Sequence, residues 1–157
     1  MKKLLRPKAS VLLLALSLIF ASCSEVRLIG AYDERTDETI QTIAKELSTV
    51  FVEIDKKIDN GEDWSYKNFE KSYTEIESDL KVLAIRVSGL PKYKIIQQQV
   101  DLLTTSVKSL EKDHATGFGN KNASVEALKK AIAVDESGLQ VSLSSMLKLQ
   151  HGLKREK

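Results

Sequence analysis

The chain is poor in the residues that cross-link, interrupt or catalyse. Among its 157 residues there is one cysteine (Cys23), one tryptophan (Trp64), two prolines (Pro7 and Pro91) and two histidines (His114 and His151). A lone cysteine excludes an intramolecular disulfide and any cysteine-rich metal site. With so few breakers, 42% hydrophobic and 29% charged residues point to a helical, globular chain of one domain rather than a disordered one. No dense basic stripe is present, so nucleic acid is not an expected partner. The chain also lacks a Gly-x-Ser-x-Gly elbow, a phosphate-cradling glycine loop and a Cys-x-x-Cys-His haem motif. No catalytic residue, no cofactor and no enzymatic activity are expected.

What the chain does have begins at its N-terminus. Lys2, Lys3, Arg6 and Lys8 precede the apolar run Val11 to Phe20 and the small residues Ala21 and Ser22, the layout of a secretory signal peptide over residues 1-22. The run is about half of the ~20 residues a spanning helix needs, so it makes a poor permanent anchor. Without those four cations the formal charge of +2 becomes −2, and residues 23-157 are mildly acidic.

The sequence Phe20-Ala21-Ser22-Cys23 resembles the bacterial lipobox, although Phe20 stands where that pattern usually has Leu or a smaller aliphatic. The resemblance implies cleavage before Cys23 and lipidation of its sulfur, with the membrane as a partner through that lipid. Ser24 follows in place of Asp, which by similarity to enterobacterial sorting implies the outer membrane, facing the periplasm. The alternative is an ordinary signal peptide, cut near Ala21 or Ser22, that frees a soluble periplasmic protein.

After a tether over residues 23-32, apolar residues recur in alternating steps of three and four, which is helical spacing. The first seam is Ile40, Ala44, Leu47, Phe51, Ile54 and Ile58. The second is Tyr66, Phe69, Tyr73, Ile76, Leu80, Leu83, Val87 and Leu90, and the third is Ile96, Val100, Leu103, Val107, Leu110 and His114. A fourth carries Val125, Leu128, Ile132, Leu139, Leu143, Met146 and Leu153, with Gly138 as a candidate kink. Gly61, Gly89 and the Gly117/Gly119 pair fall between seams, and no hairpin signal appears. The expected fold is therefore all-α: an up-down-up-down antiparallel four-helix bundle over residues 33-157, with helices near 34-60, 65-88, 92-115 and 122-154.

Two constellations stand out within the bundle. Glu111-Lys112-Asp113-His114 has the Glu-x-x-His spacing of di-iron carboxylate bundles, making Glu111 and His114 weak metal candidates. Such a site needs a second pair and two further inward carboxylates; His151 has no acid three residues before it, so no metal is expected. In an antiparallel bundle Trp64 and Phe118 meet at the end away from the tether. There they either plug the core or form a partner-docking tip, since tryptophan is enriched in binding hot spots.

Tyr32-Asp33-Glu34-Arg35-Thr36-Asp37, Ser88-Gly89-Leu90-Pro91 and Gln99-Val100-Asp101-Leu102-Leu103 together resemble a group of small all-helical bacterial lipoproteins. That resemblance implies a fold and an address but no activity. Three functions follow as expectations: a non-catalytic protein-binding or scaffold module with a partner in the envelope, a spanin-type or envelope-structural lipoprotein, and a metal- or ligand-binding periplasmic bundle. Oligomeric state has no signature in the sequence.

Overall fold

The computed structural model of the chain describes residues 30–118 and 124–155. The signal peptide, the lipobox and Cys23 lie outside the described residues, as does Gly119. Among the described residues the fold is all-α, with four α-helices, one 3-10 turn and no strand.

Helix α1 (Glu34–Asn60) starts where Asp33 leaves the extended region and its carboxylate accepts the Thr36 N–H at 2.9 Å, an N-cap. Glu34 and Asp37 in the first turn and Lys57 in the last complement the helix dipole. It ends at Gly61, whose φ of 66° is left-handed. The Gly61 and Glu62 N–H groups turn back to the Ile58 and Lys57 carbonyls, satisfying groups that the last turn leaves open.

The second helix was expected from residue 65. Instead Tyr66–Asn68 form a 3-10 turn and α2 runs from Glu70 to Ser88. The Asp63 carboxylate accepts the Ser65 N–H and Asn68 donates to the Asp63 carbonyl, so local polar bonds hold the chain in a turn before the helix can begin. Helix α3 spans Lys94–Ala115 and α4 spans Val125–Arg155. Ser124 accepts the Ala127 N–H at the start of α4. At 31 residues α4 is the longest helix, about 46 Å, and it passes through Gly138 without interruption.

Each helix packs on the next in sequence, and α4 packs back on α1. Their seams close one core. Ile40, Leu47, Ile54, Ile76, Leu80, Leu83, Ile96, Val100, Leu103 and Val107 are all at most 1% exposed. Several seam assignments change: Ile43, Val50 and Tyr93, outside the expected seams, are at most 3% exposed. Val125, the first residue of α4, is 57% exposed; Gln150, a polar residue outside the expected seam, is fully buried at the same helix's far end.

The residues expected as the last of the tether are part of the folded body. Gly30 is buried, its N–H donates to the Lys92 carbonyl at 3.1 Å, and the Tyr93 hydroxyl donates to the Ala31 carbonyl at 2.6 Å. A side chain at position 30 would run into the Tyr93 ring and the Pro91 carbonyl, so glycine is required for this close approach.

Candidate functional site

The residues that close one end of the core come from the α1–α2 connection, the start of α2, the end of α3 and the turn after it. His114 is at the centre. It ends the seam of α3, is 2% exposed, and has both ring nitrogens engaged. A carbonyl can only accept, so the Nε2–H donates to the Trp64 carbonyl at 2.7 Å, and in the neutral ring Nδ1 accepts the Tyr73 hydroxyl at 3.0 Å. Burial pushes the imidazole below its ordinary range, the Trp64 carbonyl opposes this only partly, and the ring stays neutral.

Aromatic side chains surround this ring. Phe118 stacks on it at 5.2 Å between centroids and Trp64 at 6.3 Å, Phe69 lies at 5.0 Å, and Tyr66 and Tyr73 present edges at 6.1 and 5.7 Å. Trp64 and Phe118 also contact each other, 6.4 Å apart, and each is half-buried. Phe118 has a φ of 50°, an uncommon conformation for a bulky residue. Gly117 before it is also left-handed, and the Phe118 N–H closes the end of α3 on the Asp113 carbonyl. The helix end and the stacking on His114 hold a backbone geometry that Phe118 alone would avoid.

Beside this cluster is an open cleft of about 360 Å³, lined by Asp63, Trp64, Ser65, Tyr66, His114 and Gly117 among others. Trp64 and Tyr66 give it aromatic walls, and Asp63 is the one charged residue among those that line it. Asp63 is held below the ordinary carboxylate range by the Ser65 N–H that it accepts. Tyr66 donates to Glu111 at 2.6 Å, which pushes its phenol up to about 12 and leaves it a donor at neutral pH. The cleft can therefore take an apolar or cationic side chain against the Trp64 ring.

The metal candidates are committed elsewhere. Glu111 holds Tyr66, both nitrogens of His114 are in use, and among the described residues no group of three or more His, Cys, Asp or Glu could hold an ion. Nor does His114 have a lone pair free to act as a base on a substrate. A second depression of about 300 Å³, between α1 and α2, is lined by hydroxyls and by Glu46, whose carboxyl burial and the neighbouring Asp79 and Glu75 push upward. It has no aromatic residue in its lining.

Sequence reasoning paired Trp64 with Phe118 and assigned His114 to the seam's end, but it did not join His114 to the tip. It also missed Tyr66, Phe69 and Tyr73 as the ring's wall. A signal was present: three aromatics at steps of three and four begin the second seam, on the side of the chain from which Trp64 enters. Comparison with protein-family models, with curated proteins and with solved structures gives no match to this chain.

Proposed function

We propose that the protein is a lipid-anchored, non-catalytic scaffold of the bacterial envelope that docks another envelope protein through the Trp64–Phe118 tip. The observation carrying this reading is the tip itself: two half-buried aromatics beside an open cleft edged by the Asp63 carboxylate, backed by a buried histidine that holds the Trp64 backbone. Aromatic anchors in a preset concavity are the usual source of binding energy in protein interfaces.

The four helices alternate up and down in this proposal. Three side-chain pairings support that order: Lys129 near the start of α4 reaches Asp55 and Asp59 near the end of α1, Arg86 near the end of α2 reaches Asp33 before α1, and Tyr73 near the start of α2 meets His114 at the end of α3. The tip then faces away from the end at which Gly30 leads toward Cys23. The anchor rests on the lipobox resemblance, and the outer-membrane address on Ser24. No described helix is long and apolar enough to cross a membrane.

Replacing Trp64 with Ala tests the docking role. Crosslinking in intact cells, followed by capture of the lipidated protein, is expected to recover an envelope partner with the wild type and lose it with Trp64→Ala. Undiminished capture together with a large fall in melting temperature would show a core plug instead. The anchor is tested with Cys23→Ala: radiolabelled palmitate incorporation and membrane fractionation are both expected to be lost, and retention of either would refute it.

A further inference from the structure

The end of the molecule opposite the tip collects positive charge. Between Lys81 and Val100 there is no carboxylate, and none between Ser137 and Arg155. These two stretches carry the α2–α3 turn and the last half of α4. They meet at one end: Lys92 accepts Gly30 through its carbonyl, the Tyr93 hydroxyl holds Ala31, and the Lys154 ammonium lies 5.4 Å over the ring of Tyr32. Lys92, Lys94, Lys148, Lys154 and Arg155 are all exposed there.

Among the described residues the carboxylates of this end come from the start of α1 and do little to cancel that charge. Asp33 is taken by Arg86 at 2.6 Å from two guanidinium nitrogens. Asp37 is 4% exposed and accepts Tyr32 and Gln41. Glu34 and Glu38 sit on the solvent side of α1, with Arg35 between them. Apolar side chains also stand out beside the lysines: Ile85 is 74% and Ile95 44% exposed, in the last turn of α2 and the first of α3.

We propose that this end is a membrane-resting face, and that its partner is the anionic phospholipid headgroup surface of the bilayer that holds the lipid. The proposal rests on the Cys23 anchor for the bilayer's proximity. Gly30 is fixed to the α2–α3 turn, and the seven residues from Cys23 to Gly30 span at most about 24 Å, so the basic end stays within a few Debye lengths of the headgroups. Lysines and arginines at that distance are drawn to anionic lipid, and isoleucines among them settle at the headgroup boundary. Charge thus fixes which end faces the bilayer, and the tip points outward.

The test uses protein purified from membranes, with its N-terminal peptide weighed to establish acylation. A polarity-sensitive dye is attached at Ser88→Cys, beside the α2–α3 turn, or at Lys67→Cys, near the tip. The protein is placed in phosphatidylcholine vesicles, with or without about one-third phosphatidylglycerol, and a quencher is carried on the headgroups. Quenching at position 88 is expected to be roughly threefold stronger in the anionic vesicles. That excess is expected to vanish in about 0.5 M salt and in a Lys92→Glu, Lys94→Glu, Lys154→Glu triple variant, with position 67 unquenched throughout. Equal quenching in both vesicles, or an excess that survives the triple variant, overturns the resting face and leaves the anchor standing. An unacylated Cys23 overturns the anchor instead. Flotation of the same protein with anionic vesicles then decides the face alone: loss of flotation in the triple variant supports it, and unchanged flotation overturns it.

Discussion

Asp33 joins two tasks in one carboxylate. It caps α1 through Thr36, and it holds Arg86 of α2 in a two-pronged pair that keeps its carboxyl well below the usual range. Asn caps a helix about as well as Asp, so Asp33→Asn removes the charge pair and leaves the cap. At pH 7 the variant is expected to lose about 1 kcal/mol in urea unfolding, a modest figure because the pair is partly solvated. A depressed carboxyl stabilises above its unfolded pKa, here 3.8, and that stability is lost as pH falls. The gap between wild type and variant is therefore expected to close progressively below about pH 4. His114 works in the opposite direction. Its lowered affinity for protons means that the unfolded chain is the better proton acceptor below the ordinary value of 6.5. Stability is then expected to fall as pH drops below about 6.5 and to be flat with respect to this group above it. Thermal melts at pH 7.5 and 5.5 should show a smaller decline in His114→Gln, which itself costs about 1–3 kcal/mol through the lost bonds to Tyr73 and Trp64.

Among the elements, α4 is the least regular in its packing. The third seam is buried at every position from Ile96 to His114, because a polar or charged residue interrupts its apolar steps only outside the stripe. In α4 the stripe contains Asp135, whose carboxyl is pushed up by burial and by Asp113, and it ends on Gln150, both of whose amide atoms are buried with no hydrogen-bond partner among the described residues. A buried amide without a hydrogen bond is costly, and Leu has nearly the same volume. Gln150→Leu is expected to raise stability by about 1–2 kcal/mol, measured as a higher urea midpoint with an unchanged slope. Gly138 offers a second gain: a Cβ there meets nothing within 4 Å, and Ala is the better helix former by about 1 kcal/mol. Gly138→Ala is expected to raise the melting temperature by a few degrees, and a fall would mean that the helix needs flexibility there. These positions also show where a one-dimensional reading stops. Periodicity locates a stripe, but whether a neighbour covers its first and last turns depends on tertiary packing; hence the exposed Val125 and the buried Gln150 and Thr36.

Across the whole molecule, the all-α fold and four helices were legible because the seams are long and glycines separate them. The tip was legible only in part. Trp64 and Phe118 could be paired by alternating the seams, but the bond from His114 to the Trp64 carbonyl joins a side chain to a backbone group 50 residues away, and no residue pattern encodes such a pairing. One continuous core links the tip to the rest, so the tip is expected to unfold with the bundle. Trp64 is the single tryptophan, which makes its fluorescence a local probe. Urea transitions followed by Trp64 emission and by far-ultraviolet circular dichroism should coincide, and an earlier fluorescence transition would reveal a separately melting tip.

For the docking proposed above, the bond between His114 and the Trp64 carbonyl bears on kinetics. A loop that is already ordered loses little freedom when something docks on it, so the surface behaves as a rigid template. A partner engaging Trp64 should associate in a single phase with no slow rearrangement, and affinity differences among partner variants should lie in how long the complex lasts. In His114→Gln the loop loses this hold, and a slow, concentration-independent phase is the expected sign.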